Sequence, residues 1–323
     1  MVLKLDIWKE KSQIKIIHNE SFHRTRLTAR AGELHVNLQM EEMKELADME
    51  LPDGFRIDSV VRNVTGETNN VFFCKGVFNG RPVRAYIKAS KQTKLSLDNE
   101  NSTLTKLKST RIPIPNVIWY GGFKNDTLIV EAMPGHMIWD YIDPRRNLYS
   151  KNKALLYLTA YGHCLAQIHC LDITWPPQKR SRLHGFIGEE NVDDERFRRL
   201  VSWITSNNGI SPGQVFVHGD FNTASVLFHK DSISGVIDWE FAGSGWREYD
   251  LAWALRARLH FLNTKAERQA ILYGYKLCTT YNAAALQWCE VLNYLHFAYW
   301  SKENELEYMM FALERAIDIA GLK

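Results

Sequence analysis

The chain has 323 residues, enough for two lobes with separate cores but short of three domains. Hydrophobic residues at 45% and charged residues at 24% are the balance of an ordinary globular protein, which excludes fibrous and disordered classes. A formal net charge of +3 is too small to make a nucleic acid or a membrane surface the main partner.

Cys74, Cys164, Cys170, Cys278 and Cys289 form no CxxC pair and are odd in number, which argues against a disulfide framework and a zinc site and fits a reducing compartment. The first residues, Met1 to Glu20, alternate charged and apolar side chains without a secretory pattern, and no run of about 18 apolar residues occurs. A cytoplasmic protein is expected.

Residues 1–50 read as an N-terminal extension to which no chemistry can be assigned. His18, His23 and His35 match no metal-ligand spacing and read as surface residues, and Leu38 to Met49 reads as a helix ahead of the Pro52-Asp53-Gly54 turn. From Phe55 the texture becomes that of strands: Phe55 to Val64, Asn70 to Phe78 and Val83 to Ala89, with Asn79-Gly80 marking a hairpin because both residues tolerate positive φ. A helix follows from Leu97 to Ser109, stopped by Pro113 and Pro115, and then two apolar strands, Val117 to Tyr120 and Thr127 to Ala132. Beyond Pro134-Gly135 the period is helical, with helices expected over Ala154 to Leu171, Leu251 to Leu262, Lys265 to Tyr281 and Ala283 to Ser301. Between them, Gln214 to Trp239 reads as short strands and a loop, with Ser225 to Phe228 and Gly235 to Asp238 as two strands. The lobes are expected to be 51–133 and 134–323.

Lys88 ends a strand and Glu100 stands on the next helix. A strand lysine paired to a helix glutamate is how kinases place an ammonium against the α- and β-phosphates. Gly66, Thr68 and Asn69, in the loop Thr65 to Asn70, are small residues able to bring backbone N–H groups near phosphates. The stronger signal is His218-Gly219-Asp220-Phe221-Asn222-Thr223-Ala224-Ser225, followed by Ile237-Asp238-Trp239-Glu240 and Tyr249-Asp250-Leu251-Ala252.

From about Phe55 onward this order of parts resembles the aminoglycoside phosphotransferase and choline kinase-like family. The resemblance implies an α+β, protein-kinase-like two-lobed fold: a small antiparallel β-rich N-lobe, a larger mainly helical C-lobe and ATP between them. It makes Lys88 the phosphate-anchoring lysine and Glu100 its helix partner. The segment Glu131-Ala132-Met133 becomes the hinge whose backbone reads adenine, Asp220 the catalytic base and Asp238 the Mg²⁺ ligand, and Asp250 resembles an aspartate that buttresses the catalytic loop. Phosphoryl transfer fits these residue types independently, since it needs one carboxylate at the acceptor hydroxyl and another at the metal.

One departure stands at Ser225, where the family carries a metal-binding Asn. Ser225 ligates the metal itself or through water, or Asn222 replaces it, or the metal site is degraded. His169 and His218 read as structural neighbours of the loop. Trp239, Trp246, Trp253, Trp288 and Trp300 read either as core or as a cage for a quaternary ammonium.

The expected activity is a small-molecule kinase acting on an antibiotic, aminoglycoside-like or another hydroxylated natural product. The alternatives are a metabolic kinase of the choline, homoserine or hydroxylysine type and a pseudokinase with a regulatory nucleotide cleft. A polycationic acceptor needs converging carboxylates, for which Glu290, Glu303, Glu305 and Glu307 are available, and the last three read equally as a solvated helix face.

Overall fold

The computed structural model describes residues 4–10 and 13–17 as backbone, together with residues 49, 51–63, 69–90, 97–121, 126–176, 194–208, 210–301 and 306–322, the side chain of Trp300 excepted. The chain forms two compact units, residues 1–108 with 115–133, and residues 109–114 with 134–323.

The first unit is built on a seven-stranded antiparallel sheet: β1 (Lys4–Glu10), β2 (Gln13–Ile17), β3 (Phe55–Asn63), β4 (Asn69–Phe78), β5 (Arg81–Ser90), β6 (Val117–Gly121) and β7 (Thr127–Glu131), in the order β2-β1-β3-β4-β5-β7-β6. Asn79 and Gly80 both take positive φ (49° and 78°), the twist that a two-residue hairpin needs, and so set β4 against β5 in the register Phe78 to Arg81. Along β4 and β5 alternate residues turn inward, and Phe72, Cys74, Ala85 and Ile87 join Ile57 and Ile129 in a core closed to solvent. Two of these strands were not expected. β1 and β2 extend the sheet outward from β3, so part of the N-terminal extension belongs to the first unit. The histidines at 18, 23 and 35, and the expected helix up to residue 48, lie outside the described residues.

Helix α1 (Asp98–Leu107) buries Leu104 and Leu107 together with Leu97 just before it, the faces predicted by their spacing. β7 inserts between β5 and β6, which puts Lys88 of β5 opposite Leu128 and Glu131 opposite Ala85.

The second unit is mainly helical: α2 (Trp139–Ile142), α3 (Lys151–His169), α4 (Glu195–Ser206), α5 (Arg247–Leu255), α6 (Lys265–Lys276), α7 (Ala283–Ser301) and α8 (Leu306–Ala320). Five short strands complete it, β8 (His136–Met137), β9 (Gln214–Val217), β10 (Val226–His229), β11 (Ser232–Val236) and β12 (Gly243–Trp246), paired as β11-β10-β8 and β12-β9. α3 and α6 pack backbone to backbone, because a Cβ at Gly162 would strike the Ile271 carbonyl and one at Gly274 the Thr159 carbonyl. α4 was not anticipated. Its signals are local: the Asp194 side chain caps it by accepting from the Arg196 and Phe197 N–H groups, and Phe197, Leu200 and Ile204 are buried at helical spacing.

The helix expected over Leu251 to Leu262 instead runs from Arg247 and stops at Leu255. Arg256 leaves with ψ 113°, and Leu262 is left-handed with φ 58°. The apolar period continues past this point, but the Arg256 guanidinium lies 4.0 Å over the Trp253 ring and 3.9 Å over that of Phe297, a packing no helix period encodes. Among the described residues no helix is long and apolar enough to cross a membrane.

Candidate active site

In the first unit, Lys88 on β5 and Glu100 on α1 meet, the ammonium lying 2.8 and 3.0 Å from the two carboxylate oxygens. Both are buried, Lys88 8% and Glu100 1% exposed. A buried pair contributes little net stability but fixes the ammonium's position, which is what a phosphate anchor requires. Asn69 is buried at the start of β4, whereas Gly66 and Thr68 lie outside the described residues. At the end of β7, Glu131 N–H donates to the Asn116 carbonyl at 2.9 Å, Ala132 N–H donates to the Arg84 carbonyl at 2.8 Å, and Met133 is partly exposed.

In the second unit, Asp250 on α5 organises the loop that follows β9. Its carboxylate, 2% exposed, accepts the His218 N–H at 2.9 Å and the Gly219 N–H at 3.1 Å. Gly219 has φ 82°, a conformation open to glycine at little cost. Asp250 is itself held by His169 Nε2 at 3.1 Å, and His169 Nδ1 lies 2.6 Å from the Tyr275 hydroxyl. From below, the Tyr161 hydroxyl of α3 donates to the Phe221 carbonyl at 3.2 Å.

His218 is buried and binds at both ring nitrogens: Nε2 donates to the Ile237 carbonyl at 2.9 Å and Nδ1 accepts the Asp220 N–H at 3.2 Å. That pattern requires the neutral ring protonated at Nε2, and burial pulls its pKa below the ordinary value despite nearby Asp250, Asp220 and Asp238. A second tie, from Ile237 N–H to the Ser225 carbonyl at 2.9 Å, brings the Asp238 segment beside the loop. Asp238 takes the left-handed conformation, φ 64° and ψ 58°, rare for a side chain other than Asn, Asp or Gly and typical of strained functional positions.

Asp220 is partly exposed, and its Oδ1 accepts from Asn222 Nδ2 at 3.0 Å and Trp253 Nε1 at 2.7 Å. The Trp253 contact was not anticipated. Trp253 follows Asp250 by three residues, hence on the same helix face, and the spacing alone would have aimed it at the loop.

Ser225, whose hydroxyl is a metal ligand directly or through water in one of three readings, turns that hydroxyl to the backbone of its own loop. It is 1% exposed, accepts the Asn222 N–H at 2.9 Å and lies within donating distance of the Asp220 and Asn222 carbonyls, at 2.9 and 3.0 Å. Its hydroxyl closes the loop. Asn222 is likewise engaged, since its Oδ1 accepts the Ala224 N–H at 2.8 Å. Among the described residues no three His, Cys, Asp or Glu side chains form a cage for a metal. The partly exposed carboxylates of Asp238 and Asp220 nevertheless fit Mg²⁺, which takes one or two carboxylates and completes its shell with phosphate and water.

Trp239, Trp253 and Trp288 are buried side chains of the second unit's core, as one of the two readings of the tryptophans had it.

The family model of the phosphotransferase enzyme family matches residues 60–287. No curated protein sequence matches the chain. Among solved structures, a thermostable mutant of aminoglycoside phosphotransferase APH(4)-Ia in a ternary complex with ADP and hygromycin B superposes with a TM-score of 0.61 at 16% identity, covering 82% of this chain and 94% of that one. Aminoglycoside-3'-phosphotransferase of type VIII gives 0.55 at 22% identity, covering 76% and 95%. Plasmodium vivax ethanolamine kinase gives 0.55 at 15% identity, covering 80% and 81%. These neighbours share the protein-kinase-like fold. The match over residues 60–287 establishes that the chain belongs to the phosphotransferase enzyme family, whose members with this fold are ATP-dependent phosphotransferases acting on hydroxyl groups.

Proposed function

We propose that this protein is a cytoplasmic small-molecule kinase that moves the γ-phosphoryl group of ATP to a hydroxyl of a hydroxylated natural product, with Asp220 as catalytic base. The observation that carries this reading is the anchoring of Asp220: Asn222 and Trp253 turn one carboxylate oxygen, and Asp250 and His218 hold the backbone beneath it. A base in a fixed orientation accepts the acceptor's O–H as the new O–P bond forms, and takes its proton. The bond from the γ-phosphorus to the bridging oxygen breaks, and ADP leaves with that electron pair.

In this reading Lys88, positioned by Glu100, neutralises charge on the nucleotide phosphates. Gly66, Thr68 and Asn69 supply the loop beside them, and the backbone of Glu131 and Met133 receives adenine. Asp238 would hold Mg²⁺, which when bound supplies further charge neutralisation. Ser225 serves the loop rather than the ion.

A second reading, a metabolic kinase, is favoured by the likeness to an ethanolamine kinase. The test is ADP release with Mg²⁺ and ATP across hydroxylated antibiotics, amino alcohols and hydroxy acids. Asp220→Ala should lower turnover by about a thousandfold, within the usual weight of a general base plus lost positioning. Its nucleotide affinity should stay within a few-fold, because the base meets the acceptor rather than ATP. Turnover surviving in Asp220→Ala would overturn the assignment; nucleotide binding without turnover in the wild type would make the protein a pseudokinase.

A further inference from the structure

Around Asp220 the second unit is lined by guanidinium and aromatic groups. Trp253, which donates to Asp220, carries the Arg256 guanidinium 4.0 Å above its ring. Arg256 also covers Phe297, and Arg258 lies 5.8 Å from the same Phe297 ring. Arg258 N–H donates to the Phe261 carbonyl at 2.9 Å, Phe261 stacks on Trp139 with centroids 5.8 Å apart, and Arg146 lies 4.6 Å over Trp139. These contacts form a chain of packed rings and guanidinium groups running from Asp220, in which Trp253, Arg256 and Phe261 are buried and Trp139, Arg258 and Phe297 are half-buried.

Arg258 is the unexplained member. It is only partly exposed, and among the described residues no carboxylate lies within ion-pair distance of it. A guanidinium held partly out of bulk water without a counter-ion is disfavoured unless something compensates its charge. The groups that influence it are phenols and one carboxylate: Tyr308, Tyr161 and Tyr294, and Asp220 itself. Burial lowers its pKa, yet an arginine stays charged at any working pH.

Two buried carboxylates of this unit are already held by arginines. Asp143 is closed to solvent and bound by Arg145 at 2.7 Å, and Glu290 is bound by Arg268 at 2.8 Å. Glu307 is exposed on α8, and Glu303 and Glu305 lie outside the described residues.

The geometry points to an acceptor that is itself anionic, a hydroxylated molecule bearing a carboxylate or similar group and a flat or apolar body, with Arg258 as the specificity residue for its charge. The inference rests on the phosphotransfer reading above. It assigns Arg258 to the acceptor, the flat body to the half-buried Trp139 and Phe297 rings, and the reacting hydroxyl to Asp220. It excludes aminoglycosides as preferred acceptors, since their ammonium groups would meet Arg258 with like charge.

The experiment compares three matched alcohols in ADP release with the full-length protein: para-hydroxymethylbenzoate, benzyl alcohol and para-aminomethylbenzyl alcohol. The carboxylate should exceed the neutral alcohol in kcat/KM by roughly tenfold or more, the weight of one charge-assisted contact, and the amine should be the poorest. Arg258→Gln should erase the carboxylate's advantage, and Arg258→Lys should restore part of it. The proposal falls if the amine or the neutral alcohol is preferred, if the carboxylate gives no stimulation, or if Arg258→Gln slows all three equally, which would put Arg258 on the transferred phosphoryl group or in the scaffold. ATP hydrolysis in water separates the two readings: if it does not depend on Asp220, phosphotransfer itself fails, whereas Asp220-dependent hydrolysis with a wrong charge preference defeats only the acceptor assignment.

Discussion

At Asp220 a single oxygen receives two donors, and the closer comes from Trp253 at 2.7 Å. Such a bond to an ionised group is worth about 1.5–3 kcal/mol when the donor is well placed. Trp253→Phe keeps a ring beneath the Arg256 guanidinium while deleting the N–H. It should therefore lower kcat about tenfold through loss of orientation and leave the KM for ATP within a factor of two or so. Steady-state kinetics in both substrates check this; a change confined to the KM for ATP would separate Trp253 from the orientation of Asp220. Ser225 shows why a residue's type at a motif position does not disclose its task. A serine has one proton and two lone pairs, and here the backbone of residues 220 and 222 engages them at 2.9 to 3.0 Å.

Where α3 crosses α6, size decides. Alanine ordinarily favours a helix over glycine by up to about 1 kcal/mol. At Gly274, however, the added methyl would meet the Thr159 carbonyl, with the His163 nitrogen at 3.0 Å, and both are backbone atoms that cannot swing away. The clash outweighs propensity, so Gly274→Ala should destabilise by about 2 kcal/mol, read as a lowered midpoint in denaturant. An unchanged midpoint would mean that the helices separate at little cost.

The α6–α7 contact carries a pH signal. Glu290 is pushed up to about 7 by burial, which outweighs its ion pair with Arg268. A carboxyl raised in the folded state binds its proton more tightly than in the unfolded chain. Its contribution therefore favours folding at low pH and is lost as pH rises from about 4.5 to about 7. Glu290→Gln should flatten the stability profile in that window, and urea titrations at several pH values would show it. A wild-type profile rising through the window with the same slope in the variant would exclude the assignment.

Across the whole molecule the five cysteines divide by accessibility. Cys74 and Cys164 are buried, with thiols pushed up to about 12 by desolvation, and Cys289 is buried and raised as well, whereas Cys170 and Cys278 are exposed. Because the thiolate is the reactive form, iodoacetamide should label two cysteines in the native protein and five after unfolding. Peptide mapping that found Cys74, Cys164 or Cys289 modified in the native state would contradict the packing.

Periodicity and turn chemistry sufficed for much of the architecture. The Asn79-Gly80 hairpin, the apolar alternation of β4 and β5, and the long helix from Ala283 to Ser301 follow from local rules that operate within a few residues. The run from His218 to Ser225 with Asp238 and Asp250 carried the resemblance to the phosphotransferase family, which the family match over residues 60–287 bears out. Local signals for β1, in its alternation of charged and apolar residues, and for α4, in its Asp194 cap and helical apolar spacing, were present but were not read as elements. What only the tertiary structure decided were contacts between residues far apart in sequence. It joined Trp253 to Asp220 and Tyr275 to His169, stopped α5 at Leu255, and turned the Ser225 hydroxyl into the loop, whereas the Lys88–Glu100 pair had been expected from the sequence. Side-chain direction depends on backbone conformation and on neighbours brought in by folding, and neither is a property of residue type and spacing.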